Sequence, residues 1–202
     1  MNIFCIGRNY MDHAKELNNP IPKEPVVFMK PGTAVLHNNK PFYYPNFTKD
    51  LHHEIELVFK IHKKGKAIQE NQALSFISHV TVGIDFTARD IQQRCKEKGL
   101  PWEIAKAFDH SAVIGSWIPI EDLDLNLLPF TLLKNDEIVQ EGNSKDMIFK
   151  LPNLIAYLSS YFTLNKGDLI FTGTPAGVSA VKIGDRLIGL LDGTPLFQFN
   201  IK

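Results

Sequence analysis

Short apolar runs separated by turn-forming residues dominate the chain. The stretches EPVVFMK (24–30), EIELVFKI (54–61), HVTVGIDF (79–86), FTLLK (130–134), DEIVQ (136–140), DLIFTG (168–173), DRLIGLL (185–191) and PLFQFNI (195–201) have the length and residue content of strands. KKGK (63–66), KND (134–136), NKGD (165–168) and DGTP (192–195) supply turn chemistry between several of them. Helical patterns are fewer: NYMDHAKEL (9–17), RDIQQRCKEKG (89–99) with a glycine stop at Gly99, and LPNLIAYLSSYF (151–162) with Pro152 in its first turn. Strands come in runs and no regular βαβ alternation appears. The pattern therefore predicts an α+β, mainly β fold rather than a doubly wound sheet.

One of these strands carries an unusual pair. Alternation along Glu54, Ile55, Glu56, Leu57 puts the two glutamates on one face, roughly 7 Å apart, and the apolar residues on the other. Water on an open sheet face would make that tolerable. So would a divalent cation, because buried like charges otherwise protonate or repel.

Composition narrows the classes. At 202 residues the chain is long enough for one domain, 1–202, with a substantial core. Lys+Arg and Asp+Glu are both 22, so no net field draws it to nucleic acid or an anionic membrane. No apolar run reaches the 18 or so residues of a membrane helix, and MNIFCIGRNY lacks the regions of a signal peptide. Cys5 and Cys95 have no metal-ligand spacing and read as free buried thiols. A cytoplasmic protein is expected.

Five further features bear on chemistry. Asp85 ends the apolar run VTVGI, and with Glu54 and Glu56 it would make an all-oxygen set suited to Mg²⁺, Mn²⁺ or Ca²⁺. His52 and His53 precede the acidic pair on opposite faces, so at most one could join it, and packing or hydrogen bonding is the expected role of both. His13 and Glu16 stand at i, i+3 in a helical pattern, where a carboxylate can orient an imidazole as a general base. Lys106 is a cation among apolar and aromatic residues, either snorkelling or aimed at substrate charge. The glycines and hydroxyls of FTGTPAGV (171–178) can bring backbone N–H groups to an anion, without the lysine of a nucleotide-binding loop.

The segments GRNYMDHAKEL, EPVVFMKP, HHEIEL, GIDFTARDIQ, KGLPWEIAKAFD, QEGNSKDMIF and GDLIFTGTPAGV together resemble the fumarylacetoacetate hydrolase family over practically the whole chain. The branch they resemble is that of the short single-domain acylpyruvases, which includes enzymes that also decarboxylate oxaloacetate. The resemblance implies a mixed β-roll, usually homodimeric, and a metal, typically Mg²⁺ or Mn²⁺, held by Glu54, Glu56 and Asp85. It implies that His13 and Glu16 activate water, and that Lys106 stabilises developing oxygen charge. Arg8, Tyr10, Gln92 and Thr174 match positions lining the substrate site. The implied reaction is C–C hydrolysis of a 3-acylpyruvate to pyruvate and a carboxylic acid, with oxaloacetate decarboxylation on the same site. Isomerisation or decarboxylation of 2-hydroxyhepta-2,4-diene-1,7-dioate-type substrates is the alternative, and a ligand-binding homologue without catalysis is another. The proline-rich segment after the dyad further predicts a lid at about residues 10–20 that closes over bound substrate.

Overall fold

In the computed structural model residues 1–11, 21–37 and 39–202 are described. His13 and Glu16, and with them most of the expected N-terminal helix and lid, lie outside the described residues.

Strands β5 (Ile55–Ile61) and β6 (Ile77–Asp85) pair antiparallel at the centre of the molecule, with Ile55 opposite Ile84 and Glu56 opposite Gly83. They belong to a mixed sheet ordered β2 (Val26–Lys30), β1 (Ile3–Gly7), β12 (Leu169–Phe171), β5, β6, β8 (Ala112–Ile114) and β3 (Val35–Leu36), with β9 (Ile118–Pro119) also on β6. Only the pairs β1–β12 and β3–β8 are parallel in it. A second, antiparallel sheet runs β11 (Glu137–Asn143), β10 (Pro129–Lys134), β14 (Arg186–Leu191), β15 (Thr194–Asn200). A third joins β13 (Ser179–Ala180), β4 (Leu51–His53) and β7 (Thr87–Ala88). The helices Arg89–Lys98 and Leu151–Tyr161 are the longest described, beside the short Glu70–Ala73 and Glu103–Lys106. The fold is mainly β, as the pattern predicts, and a curled mixed sheet, as the resemblance implies.

Both faces of the central sheet are covered. Ile55, Leu57 and Phe59 join Phe4, Ile6 and Ile170 in the main core, to which the helix Leu151–Tyr161 adds Leu154, Ile155 and Leu158. On the opposite face Val58 packs with Ile3, Cys5, Leu169 and Phe171. Each such side chain contributes roughly 1.5–3 kcal/mol on burial. The glutamates of β5 therefore do not sit on an open face. Water at a solvated surface is not what makes them tolerable.

Two of the predicted turns close hairpins in the left-handed backbone region, Asn135–Asp136 (φ 54° and 68°) and Asp192–Gly193 (φ 46° and 74°). KKGK does not join β5 to β6 as a turn. The chain makes an excursion through the helix Glu70–Ala73, and Gly65 instead exchanges backbone hydrogen bonds with Leu164, both at 2.9 Å. A run the pattern left unassigned, IFCIG, forms β1 and carries the chain to the site.

Candidate active site

The β5–β6 register builds the centre of the site. Asp85 N–H donates to the Glu54 carbonyl at 2.8 Å, so Asp85 faces Glu54 across the strands while Glu56 faces Gly83. All three carboxylates thus emerge on one face. A side chain at Gly83 would meet the Val113 carbonyl at 2.5 Å and Val58 at 2.8 Å, so glycine keeps the position opposite Glu56 clear. Oxygen atoms of Glu54, Glu56 and Asp85 lie within 4.8 Å of one another, all three residues are buried, and among the described residues no other His, Cys, Asp or Glu group has this geometry.

The charges around them are unevenly matched. Glu54 accepts from Arg89 Nη2 (2.6 Å), Lys106 Nζ (2.8 Å) and Thr87 Oγ1 (3.0 Å). Asp85 lies between Lys106 Nζ and Lys30 Nζ, each at 2.7 Å. Glu56 accepts the Gly173 N–H at 2.7 Å and has no ion pair with a cation among the described residues. Burial pushes the Glu56 carboxyl well above the usual carboxylate range, and the charges of Asp85 and Glu54 push it further. A divalent cation fits this donor set: it is all oxygen, convergent, buried, and short of positive charge at Glu56. Burial pulls the Lys106 pKa down, but Asp85 and Glu54 outweigh it and hold it above the ordinary lysine value, so its ammonium stays charged.

Gly173 shows how the FTGTPAGV loop serves an anion. Its φ is +98° and a Cβ there would lie 2.8 Å from Asn9 Cβ, so only glycine presents this N–H to Glu56 without strain. Arg8 likewise holds a left-handed backbone (φ 58°) at the rim.

One cleft collects Arg8, Glu54, Glu56, Asp85, Gln92, Lys106 and Thr174, seven of the ten residues expected at the site. Tyr10 is not on its wall. It pairs with Met147 in an isolated bridge and lines a neighbouring cavity, its hydroxyl buried without a hydrogen-bond partner among the described residues. Burial, then the charges of Glu56 and Asp146, push its phenol well above the usual value. His53 bonds Gln140 and Ser179, each at 2.8 Å, through both ring nitrogens, while His52 bonds Asp50 at 2.8 Å through Nε2 and its Nδ1 is buried without a partner among the described residues; neither histidine joins the carboxylates. Burial pulls His53 down to about 4 and keeps it neutral at physiological pH.

Three cations escaped the sequence reading. Arg89 lines the cleft and also donates to Gln92 Oε1 at 2.7 Å. Lys96, exposed on the same helix, also lines the cleft, its pKa lowered first by desolvation and then by Arg89 and Arg8. Lys30 is wholly buried at the end of β2 and donates to Ser111 Oγ (2.9 Å) and the Ser111 carbonyl (3.1 Å). Arg89 opens the helix after β7 and reaches Glu54, 35 residues away in the chain, so no local pattern announced it. Nor did one announce Lys30.

The chain belongs to an enzyme family: the fumarylacetoacetate (FAA) hydrolase C-terminal family model matches residues 2–196. The mitochondrial oxaloacetate tautomerase FAHD1 of Mus musculus is 42% identical over 202 residues, 100% of this chain and 91% of that protein. The structure of fumarylpyruvate hydrolase from Pseudomonas aeruginosa in complex with Mn²⁺ and pyruvate superposes with a TM-score of 0.94 at 38% identity, covering 100% of this chain and 89% of the other. The 2-hydroxyhepta-2,4-diene-1,7-dioate isomerase of Mycobacterium marinum gives 0.86 at 32% identity, covering 99% and 73%.

Proposed function

We propose that this protein is a divalent-metal-dependent enzyme that forms and quenches the enolate of short 2-oxo acids, with oxaloacetate and 3-acylpyruvates as its substrates. The observation that carries the reading is a three-carboxylate, all-oxygen cluster sharing one cleft with a charged Lys106. The metal, Mg²⁺ or Mn²⁺ on Glu54, Glu56 and Asp85 (Ca²⁺ suits the same donors), supplies Lewis-acid polarisation of the 2-oxo group. Lys106, as an ammonium, donates to oxygen charge that develops when the C3 substituent or proton leaves. Arg8, Arg89 and Lys96 on the cleft wall favour a dianion such as oxaloacetate over a neutral ketone. Gln92 and Thr174 offer polar contacts that orient the acid.

Tautomerisation, decarboxylation and hydrolysis share this enolate and differ in what leaves. Hydrolysis of a 3-acylpyruvate further requires activated water, the task of the His13–Glu16 dyad. A homodimer in the cytoplasm belongs to the same proposal, although the named tautomerase relatives are mitochondrial.

The test is a panel of purified protein with Mg²⁺ or Mn²⁺ against oxaloacetate, acetylpyruvate and a 2-hydroxydienedioate, following enol absorbance, pyruvate release and double-bond migration. Metal-dependent turnover of the first two is expected. Turnover of the dienedioate alone would assign the chain to the isomerase reading, which the Mycobacterium marinum relative favours. Undiminished activity after thorough chelation would overturn the metal site.

A further inference from the structure

Behind the cleft a chain of hydrogen bonds leads to Thr174 through residues that no step above uses. Gln140, on β11 of the second sheet, accepts on Oε1 from the Ile55 N–H (3.1 Å) and bonds His53 Nδ1 with the same oxygen (2.8 Å). Its Nε2 donates to the Pro175 carbonyl (3.0 Å) and to Thr174 Oγ1 (2.9 Å). Gln140, Thr174 and His53 are 2%, 4% and 0% exposed, so water does not substitute for these partners.

The polarity of this chain is not a matter of choice. A backbone N–H can only donate and a carbonyl can only accept, so Ile55 and Pro175 fix which end of the Gln140 amide is oxygen and which is nitrogen. Thr174 Oγ1 must then accept from Gln140. Its own hydrogen points elsewhere, and among the described residues it reaches no acceptor, while the residue lines the cleft beside the three carboxylates.

We propose that Gln140 is a positioning residue that makes the Thr174 hydroxyl a dedicated hydrogen-bond donor to a carboxylate or carbonyl oxygen of the bound 2-oxo acid. The proposal rests on the 2-oxo-acid reading above and adds to it a reason for selecting an oxygen acceptor at that wall. His53 and Ile55 clamp the amide from the far side. A conventional packing role for Gln140 would leave the direction of the Thr174 hydroxyl free.

Binding of oxalate to the Mg²⁺-loaded protein, measured calorimetrically, tests this without turnover. Gln140→Glu keeps the shape and accepts from Ile55, but its carboxylate draws the Thr174 hydrogen to itself and turns a lone pair toward the cleft. Its oxalate Kd should rise about tenfold or more, as should that of Thr174→Val, because each loses a hydrogen bond to a charged group. Thr174→Ser keeps the hydroxyl and should stay within about twofold of the parent. The decisive measurement is the double variant. With Val at 174, Gln140→Glu should cost several-fold less than it does with Thr at 174, because the added charge acts in both backgrounds and cancels in the difference between them. An equal cost in both backgrounds would overturn the proposal. Should Gln140→Glu fail to fold by circular dichroism, Gln140→Met enters the same cycle with the same expectation. No oxalate binding by the parent protein would remove the 2-oxo-acid reading, and this inference with it. Binding by the parent with no coupling between 140 and 174 removes this inference alone.

Discussion

The β5–β6 ladder has two ends made of the same backbone and opposite chemistry. At one end Phe59, Ile61, Val80 and Ile77 pack into the main core. At the other, Glu54, Glu56 and Asp85 crowd their oxygens within 4.8 Å, with Lys30, Lys106 and Arg89 set against two of them. The apolar end is stabilised by removal of surface from water, and the acidic end is held in place by it. Like charges that water would separate are kept together because the rest of the sheet is already formed. Such a site is a place where stability has been given up for binding.

That contrast breaks most sharply on substitution of Glu56. With Glu56→Gln the proposed metal site would lose a ligand, and activity on oxaloacetate should fall on the order of 10³-fold or more. In the presence of chelator the same variant should melt no lower than the parent, since it removes a buried carboxyl crowded by Asp85 and Glu54. Calorimetric metal titration and chelated thermal melts check the two halves. A melt well below the parent's would mean that Glu56 is a structural rather than a binding group.

Phe59→Ala should do the reverse. The ring is 0% exposed, and its loss should cost about 3–5 kcal/mol in urea unfolding. The affinity of the remaining folded protein for Mg²⁺ should hold within about twofold, because Phe59 points away from the carboxylate face. Lost metal affinity would show that the two ends are not separable.

Lys106→Met sharpens the comparison inside the acidic end. Its rate should drop by about 10²–10³ while metal binding stays equal or tightens, because the ammonium competes for Glu54 and Asp85 oxygens. Steady-state rates beside metal titration decide this. A parallel loss of both would make Lys106 part of the cluster's support alone.

The smallest effect expected is at Gly173. Alanine there forces a φ of +98° on an L-residue and brings Cβ to 2.8 Å from Asn9, a cost of about 1–3 kcal/mol. It should also weaken metal binding several-fold by moving the N–H that Glu56 accepts. Unchanged stability would show that the loop relaxes freely.

Local patterns were sufficient wherever the physics is local. Period two alone placed Glu54 and Glu56 on one face, and the turn residues of KND and DGTP closed their hairpins, because a two-residue loop is decided by its own backbone preferences. Gly99 stops its helix in the left-handed conformation, with φ 62°. The motif strings carried the family. KKGK failed as a turn for a physical reason: β5 and β6 pair at long range, and the intervening chain is free to pack against Leu164.

What only the tertiary structure decided is who meets the carboxylates. By itself the sequence offered the acidic trio as a candidate donor set and the strand-dominated architecture, and its family resemblance named seven of the residues that line the cleft. It did not show that both faces of β5 are buried, that Tyr10 lines a neighbouring cavity, or that a lysine ending EPVVFMK lies wholly buried 2.7 Å from Asp85. Nor did it show Gln140 reaching from the second sheet to Thr174, 34 residues along the chain. A side chain's periodicity reports the face it occupies. Its charge partner is chosen by the folding of distant segments, and that choice is what turns buried carboxylates into a site.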